Sequence, residues 1–552
     1  MKNIVVNHRW SAVALALGAL CGPVASAQTA QEELQQLRAT TQALINTLVE
    51  SGLLTREKAA AMLKQVQPSA SSTPAAPVAA ATAPAAEVGS DGKRVVRVPY
   101  VSESVRQEMR EQIKAEVLTQ AKTERWGQAN AYPEWLRRFQ FDGDLRVREE
   151  AIRLGADNTK PEGFRFGEYT RAADFATSSA SSNGLPNSNT QSDLQRSRVR
   201  ARLGVGSKVS DEVSVGLRLS TGSSTASPTS TNQTMGQSFN KYAVVLDRVY
   251  LELKPVADVR LMAGRINNPF YSTDLVYADD LGFEGFAAHT QRHWQGGEAF
   301  ATAGYFPLTE SKPGVSNSRS LVGLQLGNAL KLANQDEWKV GLALYTYQGM
   351  AGARETDDVR TSQADYAIRY EYGNGFRQRG NTLFRVNAPS DTASVYGLAS
   401  EFKVLNLTTA LSLNHLTGQP ITVTGDFVKN LAFDAQKIAA RTGSALGDGK
   451  DTGLMVRAAF GPAQVHHKGQ WNASMAYRYL GSDAVLDAFT NSDFGLGGTN
   501  NKGWILQTSY GLYNNTWLTA RWLSANQLDS FAPGAVTKFS SDIFQLDLNA
   551  RF

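Results

Sequence analysis

The sequence predicts an all-β transmembrane antiparallel barrel, preceded by an α-helical or coiled-coil segment. The chain ends on nine residues, FQLDLNARF, in which apolar and polar side chains alternate strictly. From residue 137 onward, segments of about ten to fourteen residues repeat this alternation, which is weak evidence singly and strong in number. Short turns alternate with long loops rich in Gly, Ser, Asn and Thr, a pattern that is typical of outer-membrane barrels.

The predicted barrel has an even number of strands, because we expect the chain to enter and leave it at the same face. The predicted segments amount to about sixteen strands if residues 395–416 form one long strand. About fourteen or eighteen strands also fit, because strand ends that are predicted from a pattern are uncertain by about two to four residues. A barrel of about sixteen strands encloses an aqueous channel, whereas about eight strands fill their interior with side chains. The size therefore predicts a pore within residues 137–552.

The first 27 residues have the layout of a secretory signal peptide. Lys2 and Arg9 form a basic head, residues 11–20 are apolar, and Ala25 to Ala27 form an A-x-A cleavage site. We expect cleavage after Ala27. The one cysteine of the chain, Cys21, lies before that point, so the mature protein is predicted to have neither disulfides nor thiol chemistry.

Between the signal peptide and the barrel, the sequence predicts three further segments. Residues 28–67 are helical, residues 68–95 form a linker rich in Pro and Ala, and residues 96–136 contain an amphipathic helix next to the barrel. The first segment carries a short heptad seam, which would pair either between sister chains of a trimer or within a helical hairpin. Its members are Leu34, Leu37, Leu44 and Leu48.

An ordered series of segments resembles the putative porin family of Gram-negative bacteria, and the likeness covers nearly all of the mature chain. These segments are VRVPYVSESV (96–105), PEWLRRFQFDGDLRVREE (133–150), AGRINNPF (263–270), TGDFVKN (424–430) and NSDFGLGGTNNKGWILQTSYGL (491–512). The resemblance implies an outer-membrane channel and does not name a solute. The layout is also similar to that of phosphate-selective porins. The terminal Phe552 resembles the residue by which barrel assembly machinery recognises a closing strand.

Arginines on the polar faces of the predicted strands indicate a basic lumen. Residues 196–202 place four arginines on one face, and that face cannot meet lipid, where a midplane arginine costs about 2–4 kcal/mol. The pore-lining candidates are Arg146, Arg148, Arg196, Arg198, Arg200, Arg202, Arg218, Arg248, Arg260 and Arg521.

The sequence leaves open whether these arginines select anions or form a neutral structural network. The partners in such a network would be Asp144, Glu150, Glu252 and Asp547. The small net charge favours a network, since a formal +5 becomes +3 without Lys2 and Arg9. A surplus of positive charge in the lumen would instead favour anions.

Linear motifs of catalysis are missing: the sequence has no G-x-S-x-G, H-E-x-x-H, P-loop or dinucleotide fingerprint. We therefore expect a passive channel for small hydrophilic or anionic solutes and no enzyme, cofactor, metal site or nucleic-acid partner. The expected partners are outer-membrane lipid, sister chains of a homotrimer and the barrel assembly machinery. A surface adhesin with long loops and a hydrolase on the barrel rim are the alternatives.

Overall fold

The computed structural model describes part of the chain. The described residues are 110–117, 119, 138–160, 169–170, 189–223, 228–310, 318–354, 369–373, 377–387, 395–416, 418–443, 450–530 and 536–552. Residues 110–117 and 119 are α-helical and exposed, inside the range predicted for the amphipathic helix. The signal peptide with Ala27, the heptad seam and the linker lie outside the described residues. None of the helices in the described ranges has the length and apolar character needed to cross a membrane.

The described residues form twenty β-strands. In chain order these are β1 (Phe139–Leu154), β2 (Tyr169–Thr170), β3 (Leu194–Lys208), β4 (Val213–Thr221), β5 (Gln233–Thr234), β6 (Val244–Val256), β7 (Val259–Asn267), β8 (Gly282–Trp294), β9 (Gly297–Thr309), β10 (Arg319–Lys331), β11 (Glu337–Gln348), β12 (Leu383–Arg385), β13 (Tyr396–Leu398), β14 (Lys403–Leu413), β15 (Ile421–Asn430), β16 (Thr452–Phe460), β17 (Trp471–Leu480), β18 (Asn501–Tyr513), β19 (Thr516–Gln527) and β20 (Ser540–Arg551).

Sixteen of these strands close into an antiparallel barrel, as the sequence predicted. Closure is made by β1, which pairs with β3 on one side and with β20 on the other. The short strands β2, β12 and β13 form a separate small sheet, and β5 adds two residues beside β3. Because every long strand has a partner on both sides, the barrel leaves no open sheet edge.

The prediction of one strand over residues 395–416 is wrong. The structure divides this range into β13, which pairs with β12 in the small sheet, and β14, which belongs to the barrel. Leu398 and Ala399 are fully buried, and the Ala399 amide donates to the Thr382 carbonyl at 2.8 Å. The apolar alternation continues beyond the barrel strand because these residues are buried among the loops. The sequence pattern therefore does not show where β13 ends and β14 begins.

The two faces of the wall reverse the pattern of a soluble protein. On β20, Phe544, Leu546 and Leu548 remain 44–50 % exposed, whereas Gln545 and Asp547 are only 2–3 % exposed. The apolar residues therefore point outward, where lipid would cover them, and the polar residues point inward.

The end of the chain extends the closing seam beyond β20. The Phe552 amide donates to the Gly143 carbonyl at 3.0 Å, and the Gly143 amide donates to the Phe552 carbonyl at 2.9 Å. The Phe552 ring covers Gly143, where a Cβ atom would lie 2.3 Å from the ring. A larger residue at position 143 would therefore force this ring to move. Recognition of Phe552 during assembly stays a prediction.

The connections differ between the two ends of the barrel. The end with short connections, here called the turn end, includes residues 514–515 and 295–296, and the opposite loop end carries the long ones. The loop between β15 and β16 contains a helix, α1 (Ala435–Thr442), which Asp434 caps by accepting from the Gln436 and Lys437 amides. At the turn end, one connection is unexpectedly long, the ten residues 461–470 between β16 and β17.

Candidate functional site

The connection between β7 and β8, residues 268–281, crosses the inside of the barrel and is called the crossing loop below. At one end, the Thr273 amide donates to Asp426 of β15 at 3.2 Å, and the Thr273 hydroxyl donates to the same carboxylate. At the other end, Asp280 pairs with Arg202 of β3 at 3.0 Å. Six strands separate β3 from β15 by the shorter way around the barrel, so a loop that touches both must span the lumen.

Aromatic packing holds the crossing loop against the wall formed by β8 to β11. The Tyr277 ring lies 5.0 Å from that of Tyr345 and 4.9 Å from that of Phe283, and the Phe270 ring lies 5.1 Å from that of Tyr345, all in edge-to-face contact. Such pairs contribute about 0.5–1.5 kcal/mol beyond their burial. The apolar side of the loop is therefore fixed to this wall, which leaves its acidic residues facing the opposite side of the lumen.

A second connection, residues 481–500 between β17 and β18, also folds inward and meets the crossing loop. The Asn491 amide group donates to Asp274 at 2.6 Å, and the Ala278 amide donates to the Phe489 carbonyl at 2.8 Å. Arg148 of β1 holds Asp493 of this connection at 2.8 Å. Burial raises the pKa of Asp493, but the guanidinium of Arg148 outweighs it and leaves that pKa below its usual range.

The predicted arginines of β1 and β3 point inward and oppose one another. Arg146 lies directly across from Arg200, and Arg148 lies across from Arg198. Like charges in facing positions destabilise a sheet unless counter-charges intervene. Carboxylates lie beside them here: Asp144 accepts from Arg200 at 3.0 Å.

Three of the four carboxylates proposed for a neutral network do pair with these arginines. Glu150 contacts Arg196 at 2.5 Å, Asp144 contacts Arg202 at 2.7 Å, and Asp547 holds Arg148 through two hydrogen bonds of 2.7 and 2.9 Å. Glu252 pairs with Lys254 instead, at 3.1 Å. Much of the positive charge of the four arginines in residues 196–202 is thus neutralised by neighbouring carboxylates.

A cavity of about 550 Å³, the chamber, lies between the crossing loop and the turn end. Seven guanidinium groups and three carboxylates line it, together with neutral polar side chains. Six of the predicted arginines are among them: Arg146, Arg200, Arg202, Arg218, Arg248 and Arg521. The other four, Arg148, Arg196, Arg198 and Arg260, do not line the chamber, and Arg148 is 1 % exposed and occupied by its carboxylates.

Sequence reasoning missed the acidic wall of the chamber, Asp279 and Asp280. Burial raises the pKa of Asp280, but Arg200 and Arg202 outweigh it and leave that pKa lowered. Asp279 is exposed to the chamber, and reduced solvation inside the lumen, followed by the neighbouring carboxylates Asp274 and Asp280, leaves its pKa raised. No pattern in the sequence indicates that a connecting loop folds into the lumen. Asp279 and Asp280 could therefore not be predicted as lumen residues.

The chamber contains no arrangement suited to a metal ion. Throughout the described residues, no three His, Asp or Glu side chains gather closely enough to hold one. Charged groups that face water inside a closed wall can instead attract, repel and orient solutes that pass between them.

A family model described as putative porin matches residues 38–552. The chain belongs to this porin family. Family and fold together make it a channel protein of the bacterial outer membrane. No curated protein matches the chain.

Solved structures match about three quarters of this chain at low identity. OprB of Pseudomonas putida is 10 % identical with a TM-score of 0.42, over 76 % of this chain and 96 % of that one. The channel DcaP of Acinetobacter baumannii is 11 % identical with a TM-score of 0.36, over 75 % and 97 %. OmpT of Vibrio cholerae, in a trimer form, is 10 % identical with a TM-score of 0.36, over 75 % and 99 %.

Proposed function

We propose that this porin lets small hydrophilic solutes diffuse passively through the chamber and that it prefers anions. The observation that carries the proposal is the chamber lining, with seven guanidinium groups against three carboxylates. A surplus of fixed positive charge in a narrow aqueous path raises the local concentration of anions and opposes cations. No chemical step is needed.

The surplus resides in arginines without a carboxylate partner. Within the described residues, Arg248 makes no ion pair or hydrogen bond, and its Nε atom is buried and unsatisfied. Arg521 donates to the neutral Gln507 at 2.7 Å, and Arg551 donates to the neutral Gln464 at 2.9 Å. These three groups keep their charge available to a solute. The paired arginines of residues 196–202 contribute less, so they are poorer targets for a selectivity test.

We propose further that the turn end faces the periplasm and that the working unit is a homotrimer. Short connections at the periplasmic face and long ones outside are the rule for barrels of this membrane. The heptad seam of residues 28–67 supports a trimer, because so short a helix needs partners to be stable. Outer-membrane lipid would cover the outward apolar face, and the assembly machinery would act through Phe552.

Reversal potentials in a salt gradient test the anion preference. The double substitution Arg248→Gln and Arg521→Gln removes two guanidinium charges that form no ion pair with a carboxylate among the described residues. A unit charge about 8 Å away in water is worth about 0.5 kcal/mol, so two charges change the energy of an anion by about 1 kcal/mol. We therefore expect the anion-to-cation permeability ratio to fall at least about fivefold at low salt. The pair Arg248→Lys and Arg521→Lys should keep the preference, because it keeps the charge.

Arg153→Gln is the matched control, because this exposed arginine lies at the loop end of β1 and pairs with Asp193. It should leave the reversal potential unchanged. If the Gln pair also behaves like the parent protein at low salt, the chamber charge does not set selectivity. A folded barrel that carries no current in planar bilayers would refute diffusion altogether.

A further inference from the structure

The long connection at the turn end, residues 461–470, leans over the mouth of the barrel and is called the inward turn. From its place between β16 and β17 it reaches past β18 and β19 to β20, where Gln464 accepts from Arg551 at 2.9 Å. On the way, its His466 carbonyl accepts from the Asn515 amide at 2.8 Å. A hairpin turn that followed its own two strands would make neither contact.

The inward turn packs against β18 at Gly511, and this contact site is called the seat. The Gly469 amide donates to the Gly511 carbonyl, and the Gly511 amide donates to the Gln470 carbonyl, both at 2.9 Å. A Cβ atom at position 511 would lie 2.1 Å from the His467 carbonyl oxygen and 3.0 Å from Val465. Only glycine leaves room for this approach. Val465 is 4 % exposed although it lies in a turn, so its apolar side chain is buried at this seat.

The inward turn is also held rigid from within. Its Gln470 side chain accepts from the His466 and His467 amides at 2.9 and 3.0 Å. The Asn472 side chain of β17 donates to the Pro462 carbonyl at 2.9 Å. These hydrogen bonds satisfy polar groups within the turn and restrict its conformation.

Gln464 and His466 line the same chamber as the unpaired arginines. We infer that the inward turn forms the second wall of a solute-binding chamber, in which Gln464 and His466 contact small carboxylate- or phosphate-bearing solutes held by Arg248, Arg521 and Arg551. A volume of about 550 Å³ suits a small organic anion and excludes polymers. The inference rests on the proposed diffusion of anions, and it adds a second selectivity element beyond the crossing loop.

Thiol modification tests the inference, since the predicted mature chain has no cysteine of its own. In the full-length protein, His466→Cys is treated with a sulfonatoethyl methanethiosulfonate reagent in planar bilayers. We expect conductance to fall by about half and anion preference to weaken, because bulk and negative charge enter the path. Lys468→Cys is the matched control: Lys468 is exposed on the same turn and does not line the chamber, so its modification should change neither property.

A second variant, Gly511→Val, should unseat the inward turn and raise conductance. Its control is Gly206→Val, because a Cβ atom there meets its nearest neighbour only at 3.9 Å. If modified His466→Cys conducts like modified Lys468→Cys while the parent channel is active, the inward turn lies outside the path and the inference is wrong. If the parent carries no current, the diffusion proposal fails and the inference fails with it.

Discussion

At the scale of single residues, burial decides what each lumen arginine does. Arg148 is 1 % exposed and contacts Asp547 and Asp493, so it joins the closing strand to an inward connection. Arg248 faces the chamber without a partner among the described residues. Two arginines of one face thus have different tasks, one in holding the barrel together and the other in attracting solutes.

We expect Arg148→Met to destabilise the barrel, because it leaves the buried Asp547 and the partly buried Asp493 without their counter-charge. Breaking a buried ion pair in this way costs about 3–5 kcal/mol. The measurement is the temperature at which the folded band is lost in heat-modifiable electrophoresis. Arg153→Met, whose side chain is 59 % exposed, serves as the control and should have little effect. Equal melting of the two variants would contradict a structural role for Arg148.

At the scale of elements, the crossing loop divides the lumen into an apolar side and a charged side. Tyr277 and Phe270 fix it to the wall of β8 to β11, and Asp280 reaches the arginines of β3. The Asp279 side chain makes no hydrogen bond or ion pair within the part of the chain that the structure describes, and its pKa is raised by reduced solvation inside the lumen and by the neighbouring carboxylates. Among the three carboxylates of the crossing loop, Asp279 is therefore the one that is protonated most easily.

We expect anion preference to increase as the pH falls below neutral, because Asp279 takes up a proton before the other two carboxylates of the crossing loop, Asp274 and Asp280. The pKa of Asp279 is raised, whereas those of Asp274 and Asp280 are lowered, so the neutral form of Asp279 appears while the other two remain charged. Loss of one charge should change the permeability ratio about twofold at low salt. Reversal potentials measured across this pH range provide the check.

Asp279→Asn should show the raised preference already at neutral pH and lose the pH response. Asp157→Asn is the control, since this exposed aspartate pairs with Lys538 at the loop end, and it should titrate like the parent. A response that survives in Asp279→Asn would assign the titration to another group.

At the scale of the whole molecule, the barrel and the segment before it are predicted to do separate work. The barrel closes on itself through β1 and β20, so it needs no sister chain to satisfy its strands. The heptad seam of Leu34, Leu37, Leu44 and Leu48 is amphipathic and short, so it would need partners. Association would then depend on the segment, and conduction on the barrel alone.

Deletion of residues 28–67 should therefore weaken the oligomer and leave the single-channel conductance unchanged. Semi-native electrophoresis and analytical ultracentrifugation report the first property, and planar bilayers report the second. Replacement of Leu37 and Leu44 by Ala within the intact segment is the matched control for loss of the seam alone. Trimers of undiminished heat stability in the deletion variant would give this segment another role.

The sequence determined the wall of this protein. Alternating side chains, as in residues 544–552, reveal strands because a barrel wall meets lipid on one face and water or packed loops on the other, and this period of two is local information. The even number of strands follows from chain entry and exit at one end. The same local logic placed Arg146, Arg200, Arg218 and Arg248 on the inner face.

What fills the lumen depends on contacts that form only in the folded barrel. Asp279, Asp280 and the inward turn lie in connections, whose direction depends on distant contacts such as those with Asp426 and Gly511. Loops carry no periodicity, and several lumen charges have partners tens to hundreds of residues away, as Arg148 has in Asp547. Whether an arginine is neutralised or free is therefore a property of the closed barrel and its inward loops, and no stretch of sequence contains it.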